Sequence, residues 1–302
     1  MAIIFGEIDC LKNLIDILKI SGVNDKKSLD DIITFKNVCD DKVKKAEATA
    51  RHEHHLKLTR QKEMITQHIA ERTIARSTES YLRKLFQSMV SGFRLFRLKR
   101  ELNRLERKSE EIIHKKISQM AGSFFKAKCL LDSNYALIQG ASGEQQALDE
   151  LRKLPDSYNV INNVQLRFSK PIYNPRSRQR IYTIQADHVV LGPSGVFLIE
   201  TKNWSNGTIK KTTTFTAFDQ VKRTNFALYC YLNPRTNGLF SLFSKSKKIT
   251  VRSVLLMTGQ TTEERDPFVK VVSLFELISY ITYFPPVIKE LEIKKVLNKL
   301  LC

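Results

Sequence analysis

From about Asp40 to Met120 the chain contains no proline and only one glycine, Gly92, and Lys, Arg, Glu and Gln dominate. Such composition predicts long helices. Over residues 42–76 the apolar stripe is thin: Val43, Ala46, Ala50, Leu58, Ile65 and Ile69. A helix this polar is either solvated or paired as a coiled coil. Further on, Leu82, Leu85, Phe86, Met89, Phe93 and Phe96 recur at helical steps, and Leu98, Leu102, Leu105 and Ile112 continue the pattern. Two long antiparallel helices are expected, with an apolar face that suits a second chain. Ahead of them, residues 1 to about 40 read as a small helical cap, with a helix start at Ser28 in "SLDDIITFKNV".

The pattern changes after Met120. "GASGEQQALDELRKLPDSY" reads as a helix capped by Ser142, boxed by Gln145 and ended by Pro155. Strand-like runs follow at Asn159–Phe168, Ile181–Leu191, Val196–Lys202 and Ile249–Met257. "FDQVKRTNFALYCYL" is helical between them. "KVVSLFELISYI" passes from strand to helix, and "IKELEIKKVLNKLL" is a final amphipathic helix. The fold class expected is α+β: a helical, coiled-coil region over residues 1–122, then an α/β domain over 123–302 with a central mixed sheet.

Charge sharpens this picture. With 50 Lys and Arg against 31 Asp and Glu, the formal net charge is +19, which favours polyanionic partners: nucleic acid or an anionic surface. Five widely spaced cysteines without a CxxC pair predict neither a disulfide framework nor a zinc knuckle. They suggest a reducing, cytoplasmic setting. Neither a signal peptide nor a membrane-spanning stretch is expected.

The most informative stretch is "ADHVVLGPSGVFLIETKNW", residues 186–204. Gly192-Pro193-Ser194-Gly195 is a tight turn between two apolar runs, so a β-hairpin follows. With Pro193 and Ser194 as the loop, Leu191 faces Val196, Val189 faces Leu198, Asp187 faces Glu200 and Gln185 faces Lys202. Glu200 and Lys202 then share one face of their strand. Directly opposed side chains have Cβ atoms roughly 4.5–5.5 Å apart, where like charges repel, so something positive belongs between the acids. Lys202 can fill that role in a salt-bridged hairpin. A hard divalent cation can also fill it, and two acids, a cation and a lysine suit phosphodiester hydrolysis.

"GEQQALDEL", "QADHVVLGPSGVFLIETKNWSNG" and "FDQ" resemble the nuclease-related domain, NERD, of the PD-(D/E)XK nuclease-like superfamily, over roughly residues 140–300. The resemblance implies that Asp187 is the metal-binding aspartate, that Glu200 and Lys202 are the E-x-K pair, and that Glu144 is the first-helix glutamate. It implies that Gln220 is the helix glutamine near the site. Mg²⁺ or Mn²⁺ would be held by Asp187 and Glu200 with Glu144. The stretch between Thr208 and Gln220 departs from the family pattern, being short and lacking Asn-Pro before the glutamine. Independently, Glu144 shares a helix face with Ala147, Leu148 and Leu151, an unusual place for an idle carboxylate.

Other constellations compete weakly. His52, His54 and His55 in "RHEHHLKL" do not form HExxH, so a solvated helix is expected there. His188 points opposite to Asp187 and reads as a core residue, and Trp204 as structural. "FRLFRLKRELNRLERK" suits a coiled-coil helix with a basic outer face, a phosphate track or an anionic membrane surface. The expected function is a divalent-metal-dependent nuclease with DNA favoured over RNA, self-associated through the N-terminal helices and serving, for example, defence against foreign DNA. The alternative is a non-catalytic nucleic-acid-binding or scaffold protein on a nuclease-like fold. A membrane-surface scaffold is a third and weaker reading.

Overall fold

The computed structural model describes residues 1–78, 81–204, 214–234 and 248–301, with the backbone alone at 75–78, 81–89 and 214–216. Ser205, Asn206 and Gly207 of the family-like motif, the stretch 208–213 and Cys302 therefore lie outside the described residues, as do the side chains of Leu82, Leu85, Phe86 and Met89. The chain is α+β and divides into two compact units, one of residues 30–133 and one of residues 1–29 with 134–302.

Residues 30–133 form a helical hairpin. Helix α2 (Leu29–Thr78) is matched by α3 (Tyr81–Arg107) and α4 (Ser109–Ser133). The pairing runs antiparallel: Asp40 meets Lys128, Glu53 meets Lys116, Arg51 meets Glu110, and Gln61 donates to the Leu98 carbonyl at 3.0 Å. The second arm is two helices rather than one, and α4 breaks helical geometry at Gly122, where φ is 46°. The hairpin's apolar seam is narrow, formed by Val43, Ala46, Ala50, Ile113, Ile117 and Ala121. His54 is buried, contrary to the solvated face expected of its histidine cluster, and neither ring nitrogen has a hydrogen-bond partner among the described residues. His52 and His55 are exposed.

The other unit is built on a six-stranded mixed sheet in the order β1-β2-β3-β4-β5-β6. Its strands are β1 (Ile3–Phe5), β2 (Asn159–Asn174), β3 (Gln179–Gly192), β4 (Gly195–Lys202), β5 (Val251–Met257) and β6 (Val269–Ser273). The flanking helices are α1 (Asp9–Ile20), α5 (Tyr135–Leu151), α6 (Thr214–Leu232), α7 (Leu274–Thr282) and α8 (Glu290–Leu301). The N-terminal segment contributes a strand as well as helix α1 to this unit. Residues 3–5 pair in parallel with β2, because Ile3, Ile4 and Phe5 extend the sheet edge before Gly6 turns the chain at φ 77°.

Strand β4 explains the architecture. From Gly195 to Thr201 every residue is buried, the mark of a strand covered on both faces. Val196 and Leu198 pack with Val221 and Leu228 of α6 on one side. Phe197 and Ile199 pack with Leu148 of α5 and Leu277 of α7 on the other. Each such side chain contributes about 1.5–3 kcal/mol on burial. The hairpin register is as the turn dictates, with Leu191 paired to Val196 and Val189 to Leu198. Gly195 sits at φ 135°, where a side chain would be strained and its Cβ would press on Arg252.

One helix start differs from expectation. Helix α5 begins at Tyr135, so Ser142 lies inside it and accepts a hydrogen bond from Gln146 rather than capping. Gln145 donates to Asp149 instead of closing a box. Among the described residues, no helix is long and apolar enough to cross a membrane.

Candidate active site

The hairpin brings its polar groups together where the β3–β4 ladder ends. The last paired residues are His188 and Ile199. One step further, the Asp187 carboxylate accepts the backbone N–H of Thr201 at 2.7 Å. Glu200, 4% exposed, accepts from the Lys202 ammonium at 2.8 Å and from the Gln220 amide on α6 at 2.7 Å, both at Oε1. The alternation of β4 puts Glu200 and Lys202 on the α6 side, within reach of Gln220. Gln185, expected opposite Lys202, donates its amide to Asn163 of β2 at 3.1 Å.

The third acid arrives from α5. Gly143 lets that helix settle on the sheet, since a Cβ there would lie 2.9 Å from both the Asn203 Cβ and the Thr258 hydroxyl. Glu144 follows it and is buried at 6% exposure. Its carboxylate accepts the thiol and the backbone N–H of Cys10. Cys10 lies in the first turn of α1, whose N-cap residue, Ile8, offers no side-chain cap. Glu144 thereby satisfies one of the helix's free N–H groups. Sequence reasoning missed Cys10 altogether. Gly140 is the one local signal, because any Cβ there would meet the Cys10 sulfur at 2.8 Å.

The electrostatics mark crowded negative charge. Burial, then Glu200 and Glu144, push the Asp187 carboxyl well above the usual carboxylate range. Burial raises Glu144 as well, against the lowering effect of its bonds from Cys10. Burial also raises the Cys10 thiol, and Glu144 adds to the effect, so the sulfur stays protonated and donates. Burial opposes the Lys202 ammonium, but Glu200 and Asp187 outweigh it and hold it charged. The raised Asp187 and Glu144 carboxyls mark a place short of positive charge, and perturbed groups of this kind cluster at functional sites.

These donors suit a hard divalent cation, which takes carboxylate oxygens and keeps several of its waters. Among the described residues, no three His, Cys, Asp or Glu side chains converge as a ready metal cage. The fit to a cation therefore rests on the Asp187 and Glu200 pair.

Neighbouring polar residues have structural duties. His188, fully buried, bonds Asn162 at 2.8 Å through Nδ1, and Asn162 donates to the Gly6 carbonyl, tying β3 to β1 through β2. Trp204 is partly buried against the α6-side core.

Neither a curated protein nor a solved structure matches the chain. The family model of the nuclease-related domain, NERD, matches residues 139–258, a span that opens five residues before Glu144 and closes just after β5, and the chain therefore carries a nuclease-related domain.

Proposed function

We propose that this protein is a divalent-metal-dependent nuclease that hydrolyses phosphodiester bonds, with DNA its favoured substrate. The single observation that carries the reading is the juxtaposition of Asp187, Glu200 and Lys202 at one end of a buried hairpin. A bound Mg²⁺ or Mn²⁺ would supply an activated water and neutralise charge on the phosphate. Asp187 and Glu200 would hold it, and Glu144 would assist directly or through water. Held charged beside Glu200, Lys202 positions the attacking water or meets the developing negative charge on the phosphate. Gln220 fixes the Glu200 carboxylate from α6 at Oε1, so that Oε2 would be left for the cation.

The setting follows from the rest of the chain. A net charge of +19 supports sequence-independent attraction to nucleic acid. Self-association through the helical hairpin would gather several such sites on one substrate. A cytoplasmic role against foreign DNA fits these properties.

The reading is tested by incubating the purified full chain with labelled single-stranded and duplex DNA and RNA. Cleavage is expected with Mg²⁺ or Mn²⁺ and none with EDTA. Intact substrate in every metal condition would overturn it and favour a non-catalytic nucleic-acid-binding role on the same fold.

A further inference from the structure

Strands β2 and β3 are far longer than their neighbours require. Strand β1 covers only Asn159–Ile161 of β2, and β4 covers only His188–Gly192 of β3. Beyond those positions, among the described residues, the two strands pair only with each other, from Val164 and Ala186 out to Asn174 and Gln179. The result is a two-stranded ribbon running out from the sheet.

Its chemistry is one-sided. Between Gln165 and Gln185 stand Arg167, Lys170, Arg176, Arg178 and Arg180, all exposed, and not one Asp or Glu. Among the described residues, none of these five forms an ion pair with a carboxylate. Tyr173 and Tyr182 are each 56% exposed on the same ribbon. Surface basic residues elsewhere in the chain are commonly neutralised by acids three or four positions away, as Lys153 is by Glu150 and Lys294 by Glu290.

The ribbon is also firmly held. Ile181 and Ile184 are buried in the α6-side core, and Leu166, Phe168 and Ile172 pack against it. At the tip, the Asn174 side chain accepts the backbone N–H of Arg176 at 3.0 Å, which shapes the turn. Arg176 stacks over Phe268, 5.3 Å from the ring centroid. A strand pair packed on the core, bearing cations without carboxylate partners among the described residues and exposed aromatic rings, suits a nucleic acid backbone.

Its position suits the same partner. Strand β3 runs without interruption from the ribbon into Asp187. From Arg180 to Asp187 is seven residues, about 23 Å at roughly 3.3 Å per residue. A nucleic acid strand advances about 3.4 Å per nucleotide, so about seven nucleotides would bridge ribbon and site.

We propose that the β2–β3 ribbon is the nucleic-acid platform of this domain. Lys170, Arg178 and Arg180 contact phosphates, and Tyr173 and Tyr182 stack on bases or sugars. This rests on the nuclease reading for its partner, but binding can be measured without cleavage. The probe is a labelled 20-nucleotide single-stranded DNA, titrated in EDTA with the full chain carrying Glu200→Gln. In that background, joint replacement Lys170→Ser, Arg178→Ser, Arg180→Ser should weaken binding at least tenfold near physiological salt. It should also reduce the slope of log affinity against log salt by about 2, given about 0.7 per phosphate contact on a single strand. Tyr173→Ala with Tyr182→Ala should weaken binding without changing that slope. The control replaces three exposed lysines on α8 and just before it, Lys289, Lys294 and Lys295, by Ser. Unchanged binding in the ribbon variant, or an equal loss in the lysine control, would overturn the proposal. Neither result depends on whether the wild-type chain cuts DNA.

Discussion

His188 and its neighbour Asp187 occupy opposite faces of one strand and respond to pH in opposite senses. Burial pushes the His188 imidazole down to about 4 from an ordinary value of 6.5. Below 6.5 the unfolded chain therefore takes up a proton that the folded chain refuses. Stability is lost as pH falls through this window, by about 3 kcal/mol when the shift is fully expressed. Urea melts at pH 7 and pH 4.5 should show that loss in the wild type and a loss about 2–3 kcal/mol smaller in His188→Gln. An equal loss in both would refute the assignment. The Asp187 carboxyl is raised, so its contribution to stability is present at low pH and disappears as pH rises through the raised value. Much of this was legible in the sequence. The turn at Gly192-Pro193-Ser194-Gly195 fixes the register, and register decides which residues share a face. Cys10 was not legible, because its contact with Glu144 spans 134 residues and arises from the packing of α1 on α5.

Helix α5 sets the depth at which Glu144 is presented, and Gly143 sets how closely α5 approaches the sheet. Gly143→Ala should cost about 1–3 kcal/mol, since neither β4's end nor Thr258 can yield freely. Gly92→Ala is the natural comparison. It lies inside α3 with nothing among the described residues within 4 Å of the added Cβ, and should stabilise by up to about 1 kcal/mol. Denaturant melts of the two variants measure both effects, and a Gly143→Ala protein as stable as wild type would contradict this account of α5. Elements were legible where periodicity was strong and local. Strand β4 and helix α8 appear where their patterns place them. Strand β1 escaped notice because three residues carry no usable alternation, and pairing with β2 alone defines it. The start of α5 was misplaced because Ser142 and Gln145 mimic a cap. Tyr135–Ala141 is an equally good helix, and Ile138 and Ala141 bury against the fold. Strand β2 runs on past Phe168, the end expected from its pattern, through Pro171 to Asn174. A proline is tolerated there, where β2 bulges out of register between Arg167 and Ile172.

Across the whole chain, two requirements meet: a large positive charge and an incompletely covered helical hairpin. Within the hairpin, Phe93 and Phe96 are 73% and 64% exposed, an apolar area that pairing with a second copy would bury. Light scattering of the full chain should report a dimer or larger assembly, and Phe93→Ser with Phe96→Ser should reduce it. A monomeric wild-type chain would contradict self-association and leave the hairpin complete within one chain. The claim on which the functional account depends is that Glu200 and Lys202 act on a phosphodiester bond. Its most direct measurement is the cleavage rate of labelled DNA in Mg²⁺ for the wild type, Glu200→Gln and Lys202→Ala, with melting curves confirming that each is folded. The rate should fall about 100- to 1,000-fold in both variants, the usual cost of removing a preorganised charge partner. Wild-type rates in both folded variants would contradict the account.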